Sequence, residues 1–185
     1  MPNRIKADSA SGLQLISDSS DEIQIQSGTD TVATINSSGI TMGSSKNLVT
    51  TAPAFSAYMS AAQTFTASTW TKIVFDTEEF DTNSNYDITN YRFTPTVAGY
   101  YQVNIGFKVE SVTSRGVVAL YKNGDYYKFG DDIQGTYLRN ITGSFLVYLN
   151  GSTDYIEAYG YQSSGTSNAV SQTFQTHFSG VLVSV

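Results

Sequence analysis

From Pro53 onward the sequence never sustains a helical period. Strand-length runs rich in Val, Ile, Thr, Tyr and Phe recur instead: AFSAYM, TKIVFD, YRFTP, YYQVNIGFKVE, GVVALYKNG, YYKFG, GSFLVYLNG, DYIEAYGY and TFQTHFSGVLVSV. Turn residues separate them. Asn-Gly, the strongest short hairpin signal, occurs at Asn123-Gly124 and at Asn150-Gly151. A chain punctuated in this way has to close sheets on each other, so an all-β sandwich of roughly eight to ten strands is expected.

Residues 1–50 differ. They contain no aromatic side chain, although the chain carries 13 Tyr, 10 Phe and 1 Trp. Short apolar alternations appear at Leu13 and Leu15, Ile23 and Ile25, Val32 and Ile35, and Ile40 and Met42, with the turn-forming SDSSDE, QSGTD and NSSG between them. Strands so poor in large side chains cannot bury a core alone, because units below about 60 residues are already marginal. The segment must gain burial elsewhere, by three copies wrapping around each other or by lying on another protein. We therefore expect residues 1–47 to form a polar β-rich stem, 48–52 a linker and 53–185 the head. Leu13, Leu15, Ile23, Ile25, Val32, Ile35 and Ile40 are the expected anchor. A disordered tail is the competing reading of so polar a segment, and the regular apolar spacing opposes it.

Composition removes several functions. Net charge is −6 and the ten basic residues are scattered, so no phosphate-binding surface or nucleic-acid partner is expected. The absence of cysteine excludes disulfides, thiolate-bound zinc and thiol catalysis. No apolar run reaches the roughly 18 residues of a membrane helix, so membrane insertion is not expected. The opening MPNRIKADSASG has no apolar signal region, which gives synthesis in a host cytoplasm as the expectation.

The stretch FDTEEFDTNSNYDITNYRFTPTVAGYY places Phe75, Asp81, Tyr86, Phe93, Gly99 and Tyr101 in a fixed register. That register resembles the globular domain of C1q-type proteins, a jelly roll related to the tumour necrosis factor fold. The pattern continues with two alternate aromatics where this chain has Val103 and Ile105. Further pieces follow in order: PAFSA at 53–57 resembles the opening strand, VALYKNG at 118–124 a central hairpin, LVYLNGSTDYIEA a strand pair, and FSGVL at 178–182 the closing strand. The resemblance covers about residues 53–185. It implies a jelly-roll head with Phe75, Tyr86, Phe93, Gly99, Tyr101, Phe178 and Gly180 as structural positions. It also implies a homotrimer, for which Phe55, Tyr155, Tyr159 and His177 are interface candidates. Gly99 is expected at a turn, and Tyr101, Val103, Ile105 and Phe107 on one inward face.

Catalysis finds little to work with. His177 is the single histidine and lies in the expected last strand. There is no GxSxG elbow and no HExxH. The carboxylates Asp76, Glu78, Glu79 and Asp81, and the pair Asp131 and Asp132, are expected in solvated loops rather than as a glycosidase pair. Asp81, Asn83, Asn85 and Asp87 alternate oxygens as a calcium loop does, but Tyr86 stands at the glycine position and Arg92 at the closing glutamate. No cofactor is expected, apart from the calcium that the resemblance admits near a trimer axis. Tyr126-Tyr127 and Tyr159-Gly160-Tyr161 are candidates for sugar stacking, against a packing role in the sandwich or at the trimer axis. Asn36, Asn140 and Asn150 lie in Asn-x-Ser/Thr sequons without a leader and are read as chance.

A polar stem before a C1q-like head, with neither leader nor cysteine, is similar to short proteins on bacteriophage particles. The expected function is a structural, non-enzymatic virion protein. It would be a trimeric projection decorating or cementing the capsid through its N-terminal segment, with the major capsid protein or a tail component as partner. The alternative is the receptor-binding tip of a short tail fibre or spike that recognises a host-surface glycan or protein. Both place it on the virion surface. A polysaccharide-degrading enzyme is the remote third reading.

Overall fold

The computed structural model describes residues 22–46, 52–109, 115–135, 140–163, 166–169 and 175–185. The chain divides into two compact units, Met1–Thr50 and Thr51–Val185. In the first, β1 (Ile23–Ser27), β2 (Asp30–Asn36) and β3 (Gly39–Met42) form an antiparallel meander. The turn glycines Gly28 (φ 65°) and Gly39 (φ 119°) take backbone angles that side chains resist. Ala33 is the one buried hydrophobic residue among those described in this unit. Ile25 and Ile40 are exposed, while Ile23, Val32 and Ile35 are half-buried. Leu13 and Leu15 lie outside the described residues.

The second unit is all-β. Its strands are β4 (Ala54–Tyr58), β5 (Gln63–Thr66), β6 (Thr71–Lys72), β7 (Thr77–Asp81), β8 (Tyr86–Asp87), β9 (Arg92–Phe93), β10 (Ala98–Lys108), β11 (Arg115–Lys122), β12 (Asp125–Gln134), β13 (Asn140–Asn150), β14 (Ile156–Gln162), β15 (Thr166–Ala169) and β16 (His177–Ser184). A five-stranded sheet, β13-β10-β16-β4-β7, faces a six-stranded one, β12-β11-β14-β9-β8 plus β6 on β14. A small β15-β5 pair completes the set. This is the jelly-roll sandwich. Several strands are only two residues long, which is why the described elements outnumber the run-based expectation.

Alternation explains the core. On β10, Tyr101, Val103, Ile105 and Phe107 are at most 1% exposed, and on β13 Ile141, Phe145, Val147 and Leu149 point the same way. They meet Phe55, Tyr86, Phe93, Leu120, Ile156 and Phe178 from the other strands and Phe75 from the segment between β6 and β7. Each such side chain contributes roughly 1.5–3 kcal/mol on burial. Phe55, expected at an interface, lies inside this core at 1% exposure. It stacks on Phe93 (4.2 Å) and Tyr86 (5.2 Å), with Phe178 edge-on at 4.9 Å. The reason is register: Phe55 opposes Gly180, whose missing side chain leaves room for the ring.

Three further expectations change. Gly99 sits within β10 rather than at a turn. A Cβ there would lie 2.4 Å from the Ser184 carbonyl oxygen, so glycine permits the close approach of β16. The acidic residues Glu78, Glu79 and Asp81 belong to β7, and Asp131 and Asp132 to β12, not to loops. Both strands terminate their sheets, where outward charges discourage pairing with other chains. Asn123-Gly124 is the two-residue turn of the β11-β12 hairpin, but Asn150-Gly151 carries the chain from one sheet to the other.

The Tyr86 hydroxyl donates to the Phe75 carbonyl (2.9 Å) inside this core. Burial first, then the carboxylates of Glu78, Asp76 and Asp87, push it well above its ordinary value of 10.0. The unfolded chain therefore releases this proton near the ordinary value while the folded chain keeps it. Stability contributed below that pH is lost as pH rises through it, by up to about 1.4 kcal/mol per pH unit for one proton. Denaturant midpoints of the parent and of Tyr86→Phe are expected to converge between pH of about 9 and about 11. A constant gap would show that the hydroxyl does not titrate differently in the two states.

Candidate subunit interface

The outward face of the five-stranded sheet is where the sandwich leaves apolar area unpartnered. β10 presents Tyr100, Gln102 and Asn104, β13 presents Ser144, Leu146 and Tyr148, and β16 presents His177, Ser179, Val181 and Val183. Tyr100, Leu146 and Tyr148 are 46–48% exposed, and Val181 and Val183 are also exposed. Tyr100 and Tyr148, opposite one another, meet edge to face at 5.4 Å. Between them and His177, Gln102 Nε2 donates to Ser144 Oγ (2.9 Å) and Ser144 Oγ donates to Asn104 Oδ1 (3.0 Å). Toward the β7 edge a shallow cavity of about 200 Å³ opens between Phe80, Asn104, Ser179 and Val181. The face is thus an apolar field around a closed polar strip.

His177 lies on this face, half-buried against Gly106, where a Cβ would come within 2.6 Å of its ring. Tyr155 and Tyr159 do not. Tyr155 lies beneath the Arg92 guanidinium (4.7 Å), and Tyr159 stacks on Tyr121 (3.7 Å) on the other sheet. The structure therefore does not gather the four interface candidates. The residues that do form the face were readable in one respect: FLVYL and GVLVSV are apolar at consecutive positions, and a strand apolar on both faces is one covered on both faces.

Asp81, Asp87, Asp131 and Asp132 serve local structure. Asp81 accepts the backbone N–H groups of Asn83 (3.1 Å) and Tyr86 (2.6 Å). Asp87 accepts Thr89, Asn90 and the Asn90 amide, which hold its carboxyl below the usual range. Asp131 accepts from the Thr142 N–H and hydroxyl. Asp132 takes a bidentate pair from Arg115, whose hydrogen bonds depress its pKa. Among the described residues no three His, Asp or Glu side chains converge as metal ligands. No helix among them is long and apolar enough to cross a membrane.

Two facing antiparallel sheets in this strand order define the jelly-roll class that includes tumour necrosis factor ligands. Murine APRIL at pH 8.0 superposes with a TM-score of 0.57 at 9% identity, over 71% of this chain and 99% of that one. The globular domain of zebrafish complement 1qA gives 0.53 at 17% identity over 71% and 97%, and the Eiger TNF of S. frugiperda 0.52 at 10% over 72% and 92%. No curated protein sequence matches. The C1q domain family matches residues 54–183, and the chain belongs to that family.

Proposed function

We propose that the head works as a homotrimer and that the chain is a non-enzymatic projection on a virus particle, held to the capsid through its N-terminal unit. The observation that carries the trimer is the apolar face of Tyr100, Leu146, Tyr148, Val181 and Val183. Contiguous apolar area of this kind marks an interaction surface. The head already has a complete core, so the missing cover is another copy, and closed rotational symmetry satisfies every subunit alike. Attachment through the N-terminal unit is supported by the three short strands among its described residues and by the exposed Ile25 and Ile40, which need a partner surface.

Light scattering is expected to give about three times the 20.1 kDa chain mass. Leu146→Asp with Tyr148→Asp is expected to give a folded monomer, because unpaired charge in a dry interface is strongly disfavoured. A parent monomer at micromolar concentration would reject the trimer. Removing residues 1–47 is expected to leave a folded head that no longer docks on the particle. Docking by the truncated head would reject the anchor. The second reading, a receptor-binding tip, is favoured by Tyr126 and Phe129, which stand exposed on the opposite sheet. Imaging the assembled particle separates capsid from tail.

A further inference from the structure

The outward face of the six-stranded sheet carries a second set of aromatics, on the opposite sheet from the apolar face assigned to the trimer. Neighbouring strands set them in register. Tyr121 opposes Tyr126 and Glu157, Ala119 opposes Phe129 and Tyr159, and Val117 opposes Asp132 and Tyr161. Trp70, from the loop before β6, joins them. Its ring lies 5.5 Å from Phe129 with planes 13° apart, 5.2 Å from Tyr161, and 5.3 Å edge-on to Tyr126. Tyr121 and Tyr159 stack beneath as a floor, and Tyr121 is nearly buried. Tyr126 and Phe129 remain 53% and 61% exposed. An ion pair closes each end. At one end Arg115 holds Asp132 through two bonds of 2.7 and 2.6 Å and lies over Tyr161. At the other, Lys72 pairs with Glu157.

We propose that this platform binds a neutral oligosaccharide chain. The proposal rests on the receptor-binding reading and not on the trimer. Aromatic faces are electron-rich and attract the electropositive C–H faces of sugar rings. The planar Arg115-Asp132 pair and the tyrosine hydroxyls at the rim supply donors and acceptors for sugar hydroxyls. The charges at both ends are already paired with each other, so the platform offers no net charge. That matches a neutral ligand, and a chain of net charge −6 repels a polyanion. A protein partner would cover about 20 residues or more, beyond what lies between the two ion pairs.

Trp70 is the single tryptophan of the chain, so its emission reports on the platform directly. The full chain is titrated with cello-oligosaccharides, chito-oligosaccharides and soluble mannan, with phosphatidylcholine vesicles as the apolar probe. A saturable emission change with at least one saccharide is expected, little altered by added salt because no net charge is involved. Phe129→Ala and Tyr126→Ala are each expected to weaken it about tenfold, the loss of one stacking ring. Both rings are exposed, so both variants keep the fold, and light scattering shows whether subunit association is unchanged. A normal mass with lost binding separates this site from the trimer. No emission change with any saccharide, an affinity in both variants equal to that of the parent, or a response to vesicles alone would overturn the proposal.

Discussion

Phe55→Ala is expected to destabilise the head by about 3–5 kcal/mol, the range for deleting a buried aromatic ring. Phe55 is the ring on which both sheets meet. It comes from β4 of the five-stranded sheet and contacts Phe93 and Tyr86 of the six-stranded sheet, with Phe178 of β16 closing the side. Removing it takes away two stacked contacts and one edge contact, and leaves a void that Gly180 opposite cannot fill. Chemical denaturation at fixed protein concentration measures the loss. The outcome separates core from interface: loss of an interface residue would raise the concentration at which the trimer forms and leave the unfolding of an isolated subunit unchanged. A loss under about 1 kcal/mol would mean the ring is not enclosed.

The sandwich was legible because β-structure writes its period into the sequence. YYQVNIGFK alternates so plainly that Tyr101, Val103, Ile105 and Phe107 could be placed on one face before any coordinates, and they are buried together. The hairpin at Asn123-Gly124 was legible for a similar reason: two positive φ angles, 55° and 86°, suit Asn and Gly. The edges were not. TEEFD and DDIQ read as polar loops because an edge strand earns its place through backbone pairing on one side and keeps charged side chains in water. Phe55 was misread because an aromatic near a strand start has no sequence mark of which way it points. The outward face was hidden by the same alternation that revealed the core: Leu146 and Tyr148 look like filling between Phe145, Val147 and Leu149 unless both faces are asked for a partner. Trp70 joins the aromatic platform from a loop, and no periodicity predicts a contact made across sequence by a loop.

Gly151→Ala is expected to cost far more than Gly124→Ala, although both glycines follow asparagine. At Gly124 (φ 86°) the nearest atom to an added Cβ is the Tyr155 hydroxyl at 3.3 Å, the end of a side chain that can move. The cost there is that of the backbone angle, about 1 kcal/mol. Gly151 (φ 70°) is pressed against another strand. An added Cβ would sit 2.3 Å from the Ala98 nitrogen, 2.7 Å from the Val97 carbonyl carbon and 3.0 Å from the Ala98 Cα, all backbone. The loop cannot back away. Asn150 Oδ1 accepts the N–H groups of Ser152 (3.0 Å), Thr153 (3.0 Å) and Asp154 (2.9 Å), and Asp154 is tied to Lys122 (2.8 Å) and Asn123 (2.8 Å). The start of β10 has to move instead. Backbone strain of about 1–3 kcal/mol then adds to overpacking of about 1–3 kcal/mol. Denaturant midpoints of the two variants, measured side by side, check the order, and equal midpoints would show that the loop yields. The shift also reaches function. Tyr100, two residues after Ala98, faces Tyr148 on the apolar surface, so Gly151→Ala is expected to weaken subunit association at concentrations where the parent is fully assembled, whereas Gly124→Ala leaves it intact.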